Sequence, residues 1–495
     1  MPLRQDPLLP WSPVSNTKPT MMPAAVPAMF ARKPRLLPAV GLALCLLASV
    51  RAAEVRDHGA KGDGVADDSD AIQRAVDAGG EVRFGRGTFR LTRSIRVDLQ
   101  KTGLIALVGE NVAVIEMHGA GPAFAIHGSV QRTASPDDFK AEFWPRERMP
   151  VVRGLAIVGR HPESVGLQAT KTMQLTITQC HFRQLFHGIH ITERNRNVII
   201  SDTHVYDCRG IGIYIDRCDI HQINIGNSHI SYNKGGGIVG IGGAIRNLQI
   251  GHCDIESNVD PKVPPTANVQ LDSTGGSIGE VEITGCTLQH APAVRGFANI
   301  RFIGHSTRVP FTPEQRHGNL MVTGNLLNDA DISLHLDGVR TAVISGNSIF
   351  HTNTHDVLVE NSSQIVLSNL IMDRHPRYNP DNPKGPRFTQ GIVFRNSDNC
   401  TITGLRINGG KAPAAIAIQG GERFVVSNCS IANVEGVGLL LEGVSHSLVT
   451  ANLLDAAAGG PAALRVVGGS GNLIERNLVR GPSEIDPASV LPSGK

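Results

Sequence analysis

The stretch LTITQCHF, residues 175–182, decides the fold, because its phrase returns along most of the chain. VIISDTHV (198–205), INIGNSHI (223–230), LQIGHCDI (248–255), VEITGCTL (281–288), LMVTGNLL (320–327) and AVISGNSI (342–349) repeat it: apolar, any, apolar, a few small or polar residues, apolar. The second apolar residue serves as an anchor at Ile177, Ile200, Ile225, Ile250, Ile283, Val322, Ile344, Leu367, Ile402, Val426, Val449 and Ile474. Successive anchors are 23, 25, 25, 33, 39, 22, 23, 35, 24, 23 and 25 residues apart. A second short apolar run follows in most units, such as GIHI, GIYI, NVQL, NIRF, DVLV, GIVF and AIAI. Each unit therefore holds about three short strands and three turns, and a single rung cannot bury its apolar face alone. The expected fold is all-β, a single-stranded parallel β-helix with a short N-terminal capping helix. Leucine-rich repeats of similar length are excluded, because their Leu-Asn consensus and helical half are missing.

Composition agrees. Phe, Tyr and Trp make up 4% of the 495 residues, and Gly accounts for 54. That balance suits a chain of many tight turns. Three residues past the anchor, Cys180, Cys253, Cys286 and Cys429 share a slot with Asn325, Asn347, Asn452 and Asn477. Asparagines stacked at a turn can hydrogen-bond up and down the ladder, and cysteines fit there as small buried residues. No CxxC or Cys/His metal spacing is present. Cys253 and Cys286 fall on successive rungs, which leaves a disulfide between them open.

The N-terminus reads differently. Arg32, Lys33 and Arg35 precede an apolar run, Leu36 to Val50, that is short for a membrane span. Residues 1–52 are read as a leader and secretory signal, with Met29 a candidate start. Cys45 follows Leu44 rather than a small residue, which argues against a lipoprotein anchor. Cutting after Ala52 removes six basic residues and one acidic residue from a chain of formal charge +3. The remainder holds 41 basic against 43 acidic residues and seven cysteines. No basic field remains to attract nucleic acid. The expected location is secreted or periplasmic, with no membrane association after cleavage.

Residues 61–89, KGDGVADDSDAIQRAVDAGGEVRFGRGTF, place acids before one helical face of Ala71, Ile72, Ala75 and Val76. Asp68 or Ser69 is expected to cap the helix, Gly79 and Gly80 to end it, and Val82, Phe84 and Phe89 to continue as strand. The acids are thus explained without catalysis. With Asp57, Gly59 to Gly64, Asp67, Asp68, Gln73 and Gly87-Thr88-Phe89, the segment resembles the N-terminal signature of the pectate-lyase superfamily, in its rhamnogalacturonase- or epimerase-like branch shared with phage tailspikes. The resemblance covers about the first tenth of the mature chain, and Gly85-Arg86 stands where a proline is usual. It implies a right-handed parallel β-helix whose N-terminal end this segment closes, a carbohydrate substrate, and leaves a homotrimer open. It carries no catalytic residues. The polygalacturonase motif set, the Asp-Pro-His-Asp of alginate epimerases and the calcium-repeat nonapeptide are absent. The resulting organisation is 53–130 N-terminal cap and first coils, 131–150 inserted loop, 151–482 parallel β-helix and 483–495 C-terminal tail.

Strand alternation turns the slot four past each anchor outward. On consecutive rungs it reads His181, His204, His229, Asp254 and Thr287; two residues on come Arg183, Tyr206, Ser231, Glu256 and Gln289. Asp254, Glu256 and His229 are the candidate catalytic groups. Two carboxylates standing two residues apart on one strand are spaced for an inverting glycosidase, and His229 can tune Asp254. His181, Arg183, His204, Tyr206, Gln289 and Arg301 are candidate substrate-binding residues; no metal ligands are assigned. Long inserts after Asn258, His290 and Asp373 are expected to wall a groove beside this plank, offering His305, Arg308, Arg374, His375, Arg377 and Tyr378. The insert at 131–150, with Phe139, Phe143 and Trp144, is expected to roof the N-terminal end. Three readings stay open. The first is a hydrolase cleaving a polysaccharide, with acidic polymers favoured because few aromatics are exposed to stack on neutral sugars. The second is a polysaccharide lyase using the His/Arg column, for which Ca2+ is an open cofactor; the hydrolase requires none. The third is a non-catalytic glycan-binding surface protein.

Overall fold

The computed structural model describes residues 52–492 apart from 133–137, 139, 264–265, 291–293, 307–316, 374–388, 411–412 and 458. Every strand pairing is parallel, and each strand pairs with its counterpart one coil away. Ile177 faces Ile200, Ile200 faces Ile225, Ile225 faces Ile250, and Ile250 faces Ile283. The chain winds as one right-handed solenoid, the sense that parallel crossovers take. Each coil contributes to three ladders. The first holds the anchors, as in Thr176–Thr178. The second holds three-residue strands, as in His181–Arg183. The third opens longer strands such as Ile213–Gly226, which bend round a corner into the first ladder of the next coil.

The repeat forms coils because its two apolar faces have one place to go. Anchor side chains, the middle residues of the second ladder (Phe182, Val205, Ile230, Ile255, Leu288) and Ile213 or Ile215 of the third are buried in one continuous core. Such burial stabilises by roughly 1.5–3 kcal/mol per large aliphatic side chain. Between the first and second ladders one residue per coil takes the left-handed conformation, among them Gln179, Asp202, Asn227 and His252. The inward residue just after it carries the Asn/Cys stack. Asn325 donates from N and from Nδ2 to Asn347 Oδ1, both at 2.9 Å, and Nδ2 also reaches Ile283 O at 3.0 Å. All seven described cysteines are buried and unbonded to one another; Cys253 and Cys286 form no disulfide, and Cys253 N donates to Cys286 Sγ at 3.4 Å.

A second amide ladder lies at the corner between the second and third ladders. Asn233, Asn258, Asn268 and Asn299 are fully buried there. Asn233 Nδ2 donates to Asn258 Oδ1 at 2.8 Å, Asn258 Nδ2 to Asn268 Oδ1 at 2.9 Å, and Asn268 Nδ2 to Asn299 Oδ1 at 2.9 Å. The inserts leave the solenoid at this corner. Residues 291–319 are not one loop, because Ala298–Ile303 returns to the third ladder between Ala267–Ile278 and Ile332–Asp337.

The acidic N-terminal stretch closes the first coil. Ser69–Asp77 is helical, and its buried Ile72, Ala75 and Val76 join the core. The expected cap differs in detail. Asp68 makes no capping hydrogen bond; its carboxylate accepts from Lys61 N and Gly62 N at 2.6 and 3.0 Å, bracing the preceding loop. Asp67 Oδ1 instead accepts from Ser69 N at 3.0 Å. Gly79 and Gly80 have φ of +73° and +74° and end the helix as expected. Phe143 packs on Val130 and Met173, so this part of the 131–150 insert lies along the side of the early coils rather than over their end, and Trp144 is exposed. At the other terminus Ser483–Ile485 pairs with Leu464–Val466, so the coil continues into the segment read as a tail. No helix among the described residues is long and apolar enough to cross a membrane. The segment read as a signal, up to residue 51, and Phe139, Arg308, Arg374, His375, Arg377 and Tyr378 lie outside the described residues.

Candidate functional site

The second ladder builds the site. Its three-residue strands bury their middle residue and turn the other two outward. Register puts His181 beside His204, His204 beside His229, His229 beside Asp254 and Asp254 beside Thr287. Arg183, Tyr206, Ser231, Glu256 and Gln289 form the parallel column. Of these only Ser231 is buried.

The imidazoles and phenols touch. The rings of His181 and His204 lie 6.3 Å apart, and those of His204 and His229 lie 5.0 Å apart. Tyr206 stacks on His204 at 5.9 Å and on Tyr232 at 6.2 Å, and its hydroxyl is 3.2 Å from His229 Nδ1. Burial, with Arg183 and then His204 nearby, lowers the His181 pKa; burial and the neighbouring His229 lower that of His204. Both rings are therefore neutral at pH 7.

The strip runs into a carboxylate cluster. Burial, then the Glu256 charge, raises the Asp254 pKa, while the imidazoles of His229 and His290 pull the other way. Asp254 Oδ1 is buried without a hydrogen-bond partner. Glu256 accepts from Gln289 Nε2 at 3.2 Å and from Tyr232 OH at 3.4 Å. His290 bridges two acids: Nε2 is 3.9 Å from Glu256 Oε2 and Nδ1 is 3.6 Å from Asp329 Oδ2. His351 Nδ1 lies 3.6 Å from Asp329 Oδ1 on the far side. Beyond them a cavity of about 500 Å³ opens between Gln289, His290, Leu326, Asp329, Phe350 and Ile371. A shallower concavity of about 370 Å³ lies at the strip's other end, beside His181, His204, Asp202 and Asn111.

The structure thus brings together Asp254, Glu256, His229, His204, Tyr206, His181, Arg183 and Gln289, but not Arg301. Arg301 stands on the third ladder, and its guanidinium is spent on Gly296 O, Thr266 O at 3.3 Å and His335 Nδ1 at 3.2 Å. It pins the insert instead of facing the strip. His305 pairs with Asp337 at 3.0 Å, also on the third-ladder side. His290, Asp329 and His351 were missed. They occupy the slot seven past each anchor, the left-handed turn that reads Gln184, Asp207, Tyr232, Ser257, His290, Asp329 and His351. That column was countable in the sequence in the same way as the strand columns.

Comparison with known proteins follows the geometry. The family described as "Right handed beta helix region" matches residues 160–288 and 387–483. "Rhamnogalacturonase A/epimerase, pectate lyase-like" matches residues 52–135. The chain is a right-handed parallel β-helix protein. More narrowly, its N-terminal coils are similar to the rhamnogalacturonase A/epimerase, pectate lyase-like family over residues 52–135. Among solved structures, the pre-mature bacteriophage phi29 gene product 12 aligns at TM-score 0.55 and 17% identity, over 88% of this chain and 58% of that one. The Dettilon tailspike protein gp208 aligns at 0.49 and 12%, over 79% and 68%. The A-module of Azotobacter vinelandii mannuronan C-5 epimerase AlgE4 aligns at 0.42 and 14%, over 85% and 99%. The likeness to the phi29 protein speaks to fold alone, and this chain spans little more than half of that protein. No curated protein matches the sequence.

Proposed function

We propose that this is a secreted polysaccharide-degrading glycoside hydrolase whose acid and base are Asp254 and Glu256. The observation that carries the reading is the unequal setting of two adjacent carboxyl groups. Asp254 is half-buried, has an unpartnered oxygen and an elevated pKa; Glu256 accepts from Tyr232 and Gln289. A carboxyl group whose surroundings raise its pKa suits the acid's role beside a second carboxylate. Asp254 donates its proton to the leaving glycosidic oxygen. Glu256 takes a proton from the attacking water. Outward side chains two apart on one strand leave room for that water, the arrangement of inverting enzymes. His229, stacked on Asp254, tunes its protonation, and His290 and Asp329 orient Glu256 from the corner. The polymer lies over His204, Tyr206 and His181, with Arg183 and Gln289 at its edges, and needs no cofactor. The N-terminal match to a rhamnogalacturonase-like family supports a carbohydrate substrate.

One observation favours a second reading. Tyr206 OH and His229 Nδ1, 3.2 Å apart, form a pair suited to abstracting a proton beside a uronate carboxylate, with Arg183 or a Ca2+ ion neutralising the acid. Burial and the nearby Glu256 raise the Tyr206 pKa, which weighs against the phenol as base. A panel of acidic and neutral polysaccharides tests both. Reducing ends without ultraviolet absorbance of an unsaturated product mean hydrolysis, and both together mean elimination. Binding with neither leaves a glycan-binding protein and sinks the enzyme. Under the hydrolase reading Glu256→Gln and Asp254→Asn each lose about 10²–10⁴-fold in rate while polymer binding survives.

A further inference from the structure

The cavity at the end of the strip has a floor unlike the strip. Leu326, Ser348 and Ile371 are register neighbours on three consecutive coils. Leu326 and Ile371 are 47% and 51% exposed, and between them the small Ser348 leaves a notch walled by Phe350. Neighbouring strands stand about 4.8 Å apart, so the two aliphatic side chains flank a gap about two strands wide. Single exposed aliphatic side chains scattered over a folded protein need no explanation. Here, however, two of them line one cavity with Asp329 and His290.

A second, independent observation marks the same place. Asn328 lines the cavity, is 93% buried, and its Oδ1 has no hydrogen-bond partner. A buried acceptor left unpaired costs about 1–3 kcal/mol. The Asn terminal torsion is soft, so the amide can turn to meet a donor entering the cavity. A methyl-sized apolar notch next to an amide seeking a donor matches one common sugar substituent, in which a methyl group and an N–H share one planar unit.

We propose that this cavity receives the acetamido group of an N-acetylhexosamine residue, its methyl between Leu326 and Ile371 over Ser348 and its N–H donated to Asn328 Oδ1. The inference rests on the glycan-degrading reading and names the residue of the polymer that sits beside the acid pair. The carboxylates of Asp329 and Asp373 on the rim disfavour a uronate at this position and tolerate a neutral acetamido sugar.

Saturation-transfer NMR on the whole protein tests it. The probes are the methyl glycosides of N-acetylglucosamine, N-acetylgalactosamine and N-acetylmannosamine, with the parent hexosides and methyl 6-O-acetylglucoside as controls. The expected result is transfer strongest at the acetamido methyl for at least one probe and absent for its parent hexoside. Ser348→Leu fills the notch and abolishes that transfer, and Asn328→Ala weakens binding about tenfold. Transfer to no acetamido probe, or unchanged transfer in Ser348→Leu, overturns the proposal. An acetate ester bound as well as the amide overturns the role of Asn328. Acetamido binding without release of reducing ends from any polysaccharide sinks the hydrolase alone, and release without acetamido preference sinks this inference alone.

Discussion

Replacing Asp356 by asparagine should make the protein more stable at neutral pH. Asp356 is fully buried at the corner where the chain rejoins the solenoid after residue 388. Its Oδ2 accepts from Gly391 N at 2.9 Å, and its Oδ1 accepts from the Thr352 hydroxyl. Burial outweighs these hydrogen bonds and pushes its pKa from 3.8 up to about 6. Below 3.8 the group is protonated in the folded and unfolded chains alike and has no effect. Between 3.8 and 6 the unfolded chain releases the proton while the folded chain keeps it, so stability falls as pH rises. Above 6 the full penalty applies, about 3 kcal/mol for a rise of this size. Asparagine has the same shape, its oxygen can still accept from Gly391 N, and its NH₂ can donate to the Thr352 hydroxyl, which reverses its role. The variant should therefore gain about 2–3 kcal/mol at pH 7.5, with no gain at pH 3.5. Urea unfolding midpoints at both pH values, together with amide exchange at Gly391, measure this. Equal or lower stability of the variant at pH 7.5, or an unchanged slope between pH 4 and 6, would refute the reasoning.

Four further outcomes are expected. Asn347→Ala strips Asn325 N–H and Nδ2 of their acceptor and Val322 O of a donor, and should cost about 3 kcal/mol by denaturant titration. Ile225→Ala, in the fully enclosed core, should cost about 2–5 kcal/mol in the same assay. Because burial lowers the His181 and His204 pKa values, these rings charge only below the usual histidine range; affinity for a polyanion should rise as pH falls below that range, and His204→Gln should flatten that rise. Cys180, Cys208 and Cys218 are buried with thiol pKa values pushed up to about 11, 12 and 12, so a thiol reagent at pH 8 should label them only after unfolding.

The winding was legible because parallel in-register stacking repeats one environment at one slot. Ile177, Ile200 and Ile225 share a partner geometry, and selection for that geometry leaves a countable period. The column from His181 to Asp254 was legible for the same reason, since alternation along a strand fixes which residues face outward. Alternation says nothing about a corner. His290, Asp329 and His351 project from left-handed turn residues, and reading only strand slots passed over them. Arg301 was read as a substrate ligand because it is polar on an extended segment. What the sequence could not express is that backbone carbonyls from two inserts, Gly296 O and Thr266 O, accept from its guanidinium. Asp68 failed in a similar way: a carboxylate at a helix start can serve the preceding loop as well as the helix, and here the Lys61 and Gly62 amides claim it.

The amide stack at the insert corner has a further consequence for how such a chain can be edited. Asn233–Asn258 and Asn268–Asn299 join neighbouring turns, while Asn258–Asn268 spans the insert within one turn, so a whole turn free of inserts meets its neighbours through contacts of one repeated kind. Excising one complete turn from the C-terminal half, residues 426–448 for instance, should close without a gap and give a shorter rod. Excising one between Asp254 and Asp329 also takes out an insert, and it would slide the two acids past each other by one rung and separate folding from chemistry in a single deletion.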